Sequence, residues 1–189
     1  MKLSWHELHL RLRPMKICAL FCAACIAGVW LALTSPRHRE FVEGLGCYSR
    51  TVGYDELEQL PTDEPVVYVD FSGDEALRAR VHAHFGDALV HDCYAGSAQN
   101  TNFLRDTGLP GPAPQFFFAP AQIKKRNTDW GPAAVNQRFG DAQQRFIRHV
   151  RDAGWLRVAQ HRGFDAAQAL IAELCAGRTD PQLGHVVKL

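Results

Sequence analysis

Short apolar runs that alternate with helical patterns constrain the fold of this 189-residue chain more than any other feature. Val66–Asp70 is β-branched and apolar, which is typical of a buried strand. Leu77, Val81 and Phe85 follow at positions that share one face of a helix. Buried strands that alternate with helices predict a parallel sheet with helices on both faces, and therefore an α/β fold.

The same signals recur along the rest of the chain. Six further strands are predicted, at Val29–Leu33, Arg50–Tyr54, Ala88–Cys93, Phe116–Phe118, Leu156–Ala159 and His185–Val187. A helix is predicted from the capped start Thr34-Ser35-Pro36, and a single helical turn at Asp55–Leu60. A long helix is predicted after Trp130-Gly131-Pro132, and its apolar side consists of Val135, Phe139, Ala142, Phe146 and Val150. The last helix is predicted at Phe164–Ala176, with Leu170, Ile171 and Leu174 facing inward. Residues 94–115 form the longest irregular stretch, which predicts a binding loop or a crossover.

The predicted parallel sheet indicates where a ligand binds. Ligands of open parallel sheets bind beyond the carboxyl ends of the strands. The segments that follow such ends are Thr34–His38, Phe71–Gly73 and Tyr94–Ser97. These three segments are therefore the candidate binding positions.

An uncharged segment of 17 residues, Ile17–Leu33, admits three interpretations. As a helix of about 25 Å it approaches the thickness of a bilayer core, and three basic residues before it favour a membrane anchor that begins in the cytoplasm. A secretory signal is the second interpretation, although Ala32-Leu33-Thr34 is a poor cleavage site. In the third, a buried helix ends at Gly28 and Val29–Leu33 forms a buried strand.

Composition limits the function classes. Lys and Arg total 21 and Asp and Glu 20, so the net charge of +1 argues against a nucleic-acid-binding protein. Residues 1–33 by themselves carry +3, which sets them apart from the rest. Cys18, Cys22 and Cys25 lie among apolar neighbours. This favours cysteines that pack as small apolar side chains, and it argues against an iron–sulfur site. The other three cysteines are scattered singly and show no disulfide framework.

Several stretches of the chain resemble a known family. They are Leu33–Tyr48, Val67–Gly73, His82–Asp87, Leu109–Pro112, Phe117–Ile123, Trp130-Gly131 and Gly184-His185-Val186. The first is similar to the second strand and helix of zinc-independent medium-chain dehydrogenase/reductases, which carry a similar serine, basic residue and terminal Leu-Gly. The chain more closely resembles a family of uncharacterised proteins, a domain of unknown function that is a divergent branch of that superfamily. The likeness covers Leu33–Leu189.

The resemblance implies a Rossmann-like domain over residues 33–189, incomplete at its N-terminal edge and with a reductase-type extension at its C-terminus. Family members resemble two-domain reductases of about twice this length. They carry an N-terminal substrate domain and a first strand with a phosphate-binding turn. Residues 1–32 resemble neither, so we expect an atypical leader on a truncated or frame-shifted gene product that binds its cofactor weakly or not at all. Whether such a product is an enzyme stays open.

The resemblance also implies cofactor contacts. In dinucleotide-binding folds an acidic residue after the second strand binds the ribose 2′-hydroxyl, whereas a nearby Arg accommodates a 2′-phosphate. No acid occurs here before Glu40, which favours NADP(H) over NAD(H). The candidate phosphate contacts are Thr34, Ser35, Arg37 and His38. The candidate contacts to the nicotinamide ribose are Phe71, Ser72, Gly73, Gly96 and Ser97, which also suit ordinary turns.

The implied function is NADP(H)-linked hydride transfer to a small-molecule substrate that the sequence does not identify, by a cytoplasmic protein. No catalytic residue is assigned, because the groups that polarise the substrate belong mostly to the expected upstream domain. A zinc site at His82, His84, His91 and Cys93 is rejected, since two of these histidines lie two residues apart on a helix. The alternative is a membrane-anchored, non-enzymatic α/β protein that uses Ile17–Leu33 as its anchor.

Overall fold

The computed structural model describes residues 29–96 and 108–189. In these ranges every pair of neighbouring strands is parallel and helices flank the sheets, which confirms the predicted α/β fold class. The structure divides into two compact units: the described residues up to Tyr54 with Asn136–Trp155, and those of Asp55–Val135 with Leu156–Leu189. Ser97, the clustered N-terminal cysteines and most of the uncharged segment lie outside the described residues.

The first unit contains one parallel pair of strands. These are β1 (Leu31–Thr34) and β2 (Arg50–Gly53), and between them in the chain come a 3₁₀ turn (Pro36–His38) and helix α1 (Arg39–Gly44). Val52 on β2 is fully buried. A small parallel β–helix–β arrangement therefore forms the sheet of this unit.

The position of β1 bears on the uncharged segment. Leu31–Leu33 pair with Arg50–Val52, so a single helix across Ile17–Leu33 is wrong for its last three residues. The predicted strand Val29–Leu33 is confirmed, with its bounds shifted to Leu31–Thr34. Within the ranges that the structure describes, no helix is both long enough and apolar enough to cross a bilayer.

The second unit contains a three-stranded parallel sheet in the order β3-β4-β5. β3 (Val66–Asp70) has the predicted bounds, and β4 (Leu89–Tyr94) lies between it and the short β5 (Gln115–Phe116). Helix α2 (Glu75–Phe85) connects β3 to β4. Asp74 precedes this helix, and its carboxylate accepts hydrogen bonds from two amides of the first turn.

The apolar face predicted for α2 is the one that it buries. Leu77, Val81 and Phe85 are all buried, as their spacing of four residues predicts. The single turn predicted at Asp55–Leu60 is a 3₁₀ turn at Tyr54–Gln59, and it adds the fully buried Leu57 to the apolar residues of the second unit. Local pattern therefore identified this part of the core.

The second unit also contains a separate two-stranded parallel sheet. β6 (Arg157–Arg162) and β7 (Leu183–Lys188) pair over their full lengths, and helix α5 (Phe164–Cys175) lies between them in the chain. Leu170 on α5 is buried, whereas Ile171 is 59% exposed. The inward position predicted for Ile171 is wrong, because two strands cover only a narrow stripe of a helix.

β5 is shorter than the predicted strand Phe116–Phe118. It ends at Phe116, and Phe118 instead precedes helix α3 (Ala119–Trp130). Pro120 is the second residue of that helix, where its fixed φ favours helical structure and its missing amide hydrogen costs nothing. The strand prediction is therefore wrong for Phe117 and Phe118.

Two consecutive helices follow β5. α3 has no counterpart among the predicted helices, because polar residues interrupt its apolar pattern. α4 (Pro132–Ala153) is the predicted long helix, but none of its residues, all of which are described, is buried. Phe139, on the apolar side, is 64% exposed. The predicted pattern was amphipathic, yet the apolar side of α4 does not enter the core.

The cap of α2 gives a test of local stability. Asp74→Ala removes the acceptor of the Ala76 and Leu77 amides, at 2.9 and 3.0 Å, and we expect the free energy of unfolding to fall by about 1 kcal/mol. Urea denaturation followed by circular dichroism measures the change. Asp63→Ala, at an exposed acidic residue, is the matched control and should leave the midpoint unchanged. An equal loss in both variants would contradict the capping role.

Candidate functional site

The carboxyl ends of β3 and β4 lie side by side. Asp70 ends β3 in register with Tyr94 at the end of β4, and the amide of Ala95 donates to the Asp70 carbonyl at 2.8 Å. The sheet therefore brings two of the predicted site segments, Phe71–Gly73 and Gly96, to the same edge. This edge is the one where parallel sheets bind ligands.

The side chain of Asp70 organises the turn that follows β3. Its Oδ1 accepts hydrogen bonds from the Ser72 amide at 2.7 Å, the Ser72 hydroxyl at 2.8 Å and the Gly73 amide at 3.0 Å. Gly73 has a φ of +64°, a conformation that other residues rarely adopt. The turn donors predicted to contact a ribose are thus satisfied by the carboxylate of Asp70.

Arg78 on α2 lies between two buried carboxylates. Its Nη2 donates to Asp70 Oδ2 at 2.6 Å, and its Nε lies 3.9 Å from Asp92 Oδ2. The guanidinium also lies over the ring of Tyr94, 5.1 Å from its centroid. Arg78, Asp70 and Asp92 are 5%, 1% and 0% exposed, so this ion pair is shielded from solvent.

His82 lies one turn after Arg78 and joins the network to a loop. Its Nδ1 is 2.7 Å from the carbonyl oxygen of Pro110, which can only accept, so Nδ1 donates. Its Nε2 is 2.8 Å from Asp92 Oδ2, and both side chains are fully buried. A second proton, shared between Nε2 and the carboxylate, is needed to satisfy this contact.

Proton count makes the network electrically neutral. Two carboxylates, of Asp70 and Asp92, face one guanidinium and the proton shared between His82 and Asp92. Two buried atoms, Asp92 Oδ1 and Arg78 Nε, have no hydrogen-bond partner. Each unpaired buried polar atom lowers the stability of the folded state, so the hydrogen bonds that the network does form have to offset this cost.

Tyr68 and Gly111 lie beside this network in closely packed surroundings. Burial, with smaller contributions from the carboxylates of Asp70 and Asp92, raises the pKa of Tyr68 on β3 far above its usual value. Gly111 follows Pro110 with a φ of +82°, and a Cβ there would lie 3.1 Å from the carbonyl oxygen of Gly86. The loop held by His82 therefore packs closely against the end of α2.

Aromatic side chains surround the same edge of the sheet. Tyr94 contacts Phe116 with ring centroids 6.0 Å apart, and Phe116 contacts Phe118 at 6.4 Å. Phe71, Phe116 and Phe118 are 63%, 45% and 55% exposed. The edge thus combines a buried, charge-balanced network with an exposed aromatic rim.

The remaining candidate residues lie in the first unit. Thr34 is buried at the end of β1, and Ser35 forms no side-chain cap bond, so its predicted capping role is wrong. Arg37 Nε donates to His38 Nε2 at 3.1 Å. These two basic side chains therefore lie together directly after a parallel strand.

Two hollows in the protein surface lie apart from the predicted site residues. A hollow of about 470 Å³ adjoins α3, and one of about 490 Å³ lies between α5 and the β6-β7 sheet, where His161 Nε2 and His185 Nδ1 are 2.9 Å apart. In residues 29–96 and 108–189, no group of three or more His, Cys, Asp or Glu side chains could hold a metal ion.

Sequence reasoning missed the buried network. A signal was available, because Arg78 and His82 are four residues apart and directly follow Leu77 and Val81 on the buried face of α2. Polar residues beside an apolar stripe are usually the solvated flank of a helix. Only their acceptors on β3, β4 and the Pro110 loop show that these two are buried.

Loss of the buried guanidinium should destabilise the fold strongly. Arg78→Met leaves the Asp70 carboxylate buried without its cation, and we expect the free energy of unfolding to fall by about 3 kcal/mol or more. Arg80→Met is the matched control two residues away, because its ion pair with Glu58 is exposed, and we expect little change. Urea denaturation compares the two variants. Equal unfolding midpoints would show that the buried ion pair of Arg78 matters no more for stability than the exposed ion pair of Arg80.

Comparison with known proteins adds one finding. No curated protein matches the chain, and no solved structure matches it. Residues 24–180 match the family described as protein of unknown function, DUF2855. The match begins nine residues before Leu33, so the expected leader of residues 1–32 is partly within the family region. Because the match covers most of the chain, the protein belongs to the DUF2855 family of proteins of unknown function.

Proposed function

We propose that this chain is the NADP(H)-binding portion of a reductase-like protein that transfers hydride to a small-molecule substrate. One observation carries the proposal: Arg37 and His38 lie together immediately after β1 of a parallel β–helix–β arrangement. In nucleotide-binding sheets of this kind, the position after such a strand contacts the adenosine ribose. The resemblance to medium-chain reductases supports the same interpretation.

The chemistry of this position suits a phosphate. A guanidinium donates in a planar fork that matches phosphate oxygens, and the His38 imidazole, whose Nε2 accepts from Arg37, has a further donor at Nδ1. Thr34 and Ser35 precede the two basic residues, and the first acid after the strand is Glu40. A carboxylate that would favour an unphosphorylated ribose is thus absent from Thr34–His38, which supports NADP(H) over NAD(H).

For the second unit, considered by itself, we propose that the edge at the carboxyl ends of β3 and β4 contacts the nicotinamide ribose. The donors of Ser72 and Gly73 already bind Asp70, so we expect these residues to shape the edge and not to donate to a ligand. Gly96 has open space where a Cβ would lie, which allows a ligand to approach the backbone. The exposed ring of Phe71 adds an apolar surface. The cofactor, when bound, supplies the hydride.

Cofactor titration tests the proposal. We expect the chain to bind NADPH more tightly than NADH, and Arg37→Ala to weaken NADPH binding by about tenfold while leaving NADH binding unchanged. The enhancement of nicotinamide fluorescence on binding measures the affinity in separate titrations with NADPH and with NADH.

Arg50→Ala is the matched control for this experiment. Arg50 is exposed at the opposite, amino end of β2, so its removal changes the net charge equally but should not alter NADPH binding. Equal affinity for NADPH and NADH in the unmodified chain, or an equal effect of the two substitutions, would refute the 2′-phosphate contact.

A further inference from the structure

Positive charge is concentrated in the two consecutive helices that follow β5. Residues 119–153 contain seven basic residues and three acidic ones, a net charge of +4, whereas the rest of the chain carries −3. The basic residues are Lys124, Lys125, Arg126, Arg138, Arg145, Arg148 and Arg151. The near-zero net charge of the whole chain therefore hides a strongly basic helical segment.

The part of α4 in the first unit exposes an apolar side along this basic segment. Phe139, Phe146 and Ile147 are 64%, 36% and 38% exposed. Phe139 and Phe146 are two turns apart and so lie on the same side of the helix. Trp155 contacts Phe146 at a centroid distance of 6.3 Å and leaves a third of it open. The apolar side of this part of α4 is thus partly open to solvent.

The opposite side of α4 carries three arginines together with the two acidic residues of the helix, Asp141 and Asp152. Arg145, Arg148 and Arg151 follow one another at intervals of three residues, and none forms an ion pair with a described residue. Their long side chains can reach from the polar side toward the boundary with the apolar side. Apolar rings on one side and arginines on the other are typical of helices that lie in a membrane interface.

We propose that α4 binds the surface of an anionic phospholipid bilayer, independently of any cofactor. In this arrangement Phe139, Phe146 and Ile147 enter the boundary between headgroups and acyl chains. Arg145, Arg148 and Arg151 contact lipid phosphates. The helix is about 33 Å long and lies in the plane of the surface, because its charges exclude it from the hydrocarbon core.

Charge and shape favour a lipid surface over other occupants. A second copy of α4 would bring two basic helices together, and like charges oppose such pairing. A protein partner would need a preformed acidic groove that matches both the exposed rings and the arginines of α4. A fluid anionic surface adapts to a convex helix and supplies many phosphates at once.

Vesicle co-sedimentation of the full chain tests the proposal. We expect binding to vesicles of phosphatidylcholine with phosphatidylglycerol, little binding to phosphatidylcholine alone, and loss of binding at high salt. The double variant R145E/R148E should weaken binding to the anionic vesicles by tenfold or more, on the order of 1 kcal/mol per charge. Phe139→Ser should weaken it several-fold.

Matched controls use exposed residues elsewhere. R162E/K188E reverses two charges at paired positions of β6 and β7, and Phe164→Ser removes a ring that is 76% exposed on α5. Neither should change vesicle binding. Far-ultraviolet circular dichroism and thermal unfolding should be the same for all four variants, since every substituted side chain is at least partly exposed.

Four outcomes would overturn the proposal. Equal binding to neutral and anionic vesicles removes its electrostatic basis. Binding that survives both R145E/R148E and Phe139→Ser assigns the lipid contact to another part of the chain. A dimer in sedimentation velocity that Phe139→Ser dissociates identifies a second copy as the occupant. Failure to bind vesicles together with binding to polyglutamate identifies an acidic protein surface instead.

Discussion

A guanidinium held between two buried carboxylates is the interaction on which the second unit depends. Arg78 joins α2 to β3 through Asp70 and lies near Asp92 on β4, and His82 continues the network from β4 to the carbonyl of Pro110. β3, α2, β4 and the Pro110 loop are thus joined by charged or polar contacts that are shielded from solvent. Removing these groups from water is costly, so the network favours one arrangement of the segments more than it adds net stability.

The sequence predicts those parts of the fold that local pattern determines. β3 has the predicted bounds, and Leu77, Val81 and Phe85 are buried on α2 because a helical period requires only neighbouring turns. The burial of Arg78, in contrast, depends on acceptors from other segments, which no local pattern contains. The candidate edge was predictable because parallel strands end side by side, whereas the use of its turn donors by Asp70 was not.

Helix α4 shows the limit of pattern in another way. Its amphipathic spacing predicts a helix correctly, but spacing states only that one side is apolar and not what covers that side. The same ambiguity explains Ile171 on α5, whose apolar side chain is mostly exposed beside a sheet of two strands. Charge adds the information that spacing lacks, since a basic helix excludes partners of like charge and favours anionic ones.

The two proposed anion contacts differ in a way that separates them experimentally. Arg37 and His38 form one compact pair after a strand, which suits a single phosphate group held by a few directed hydrogen bonds. The arginines of α4 are spread along several turns and suit a surface with many phosphates. Affinity that depends on many weak charge contacts falls steeply with salt, whereas a directed contact to one phosphate falls less. Salt dependence should therefore be strong for vesicles and weaker for the discrimination between NADPH and NADH, so each contact can be tested without the other.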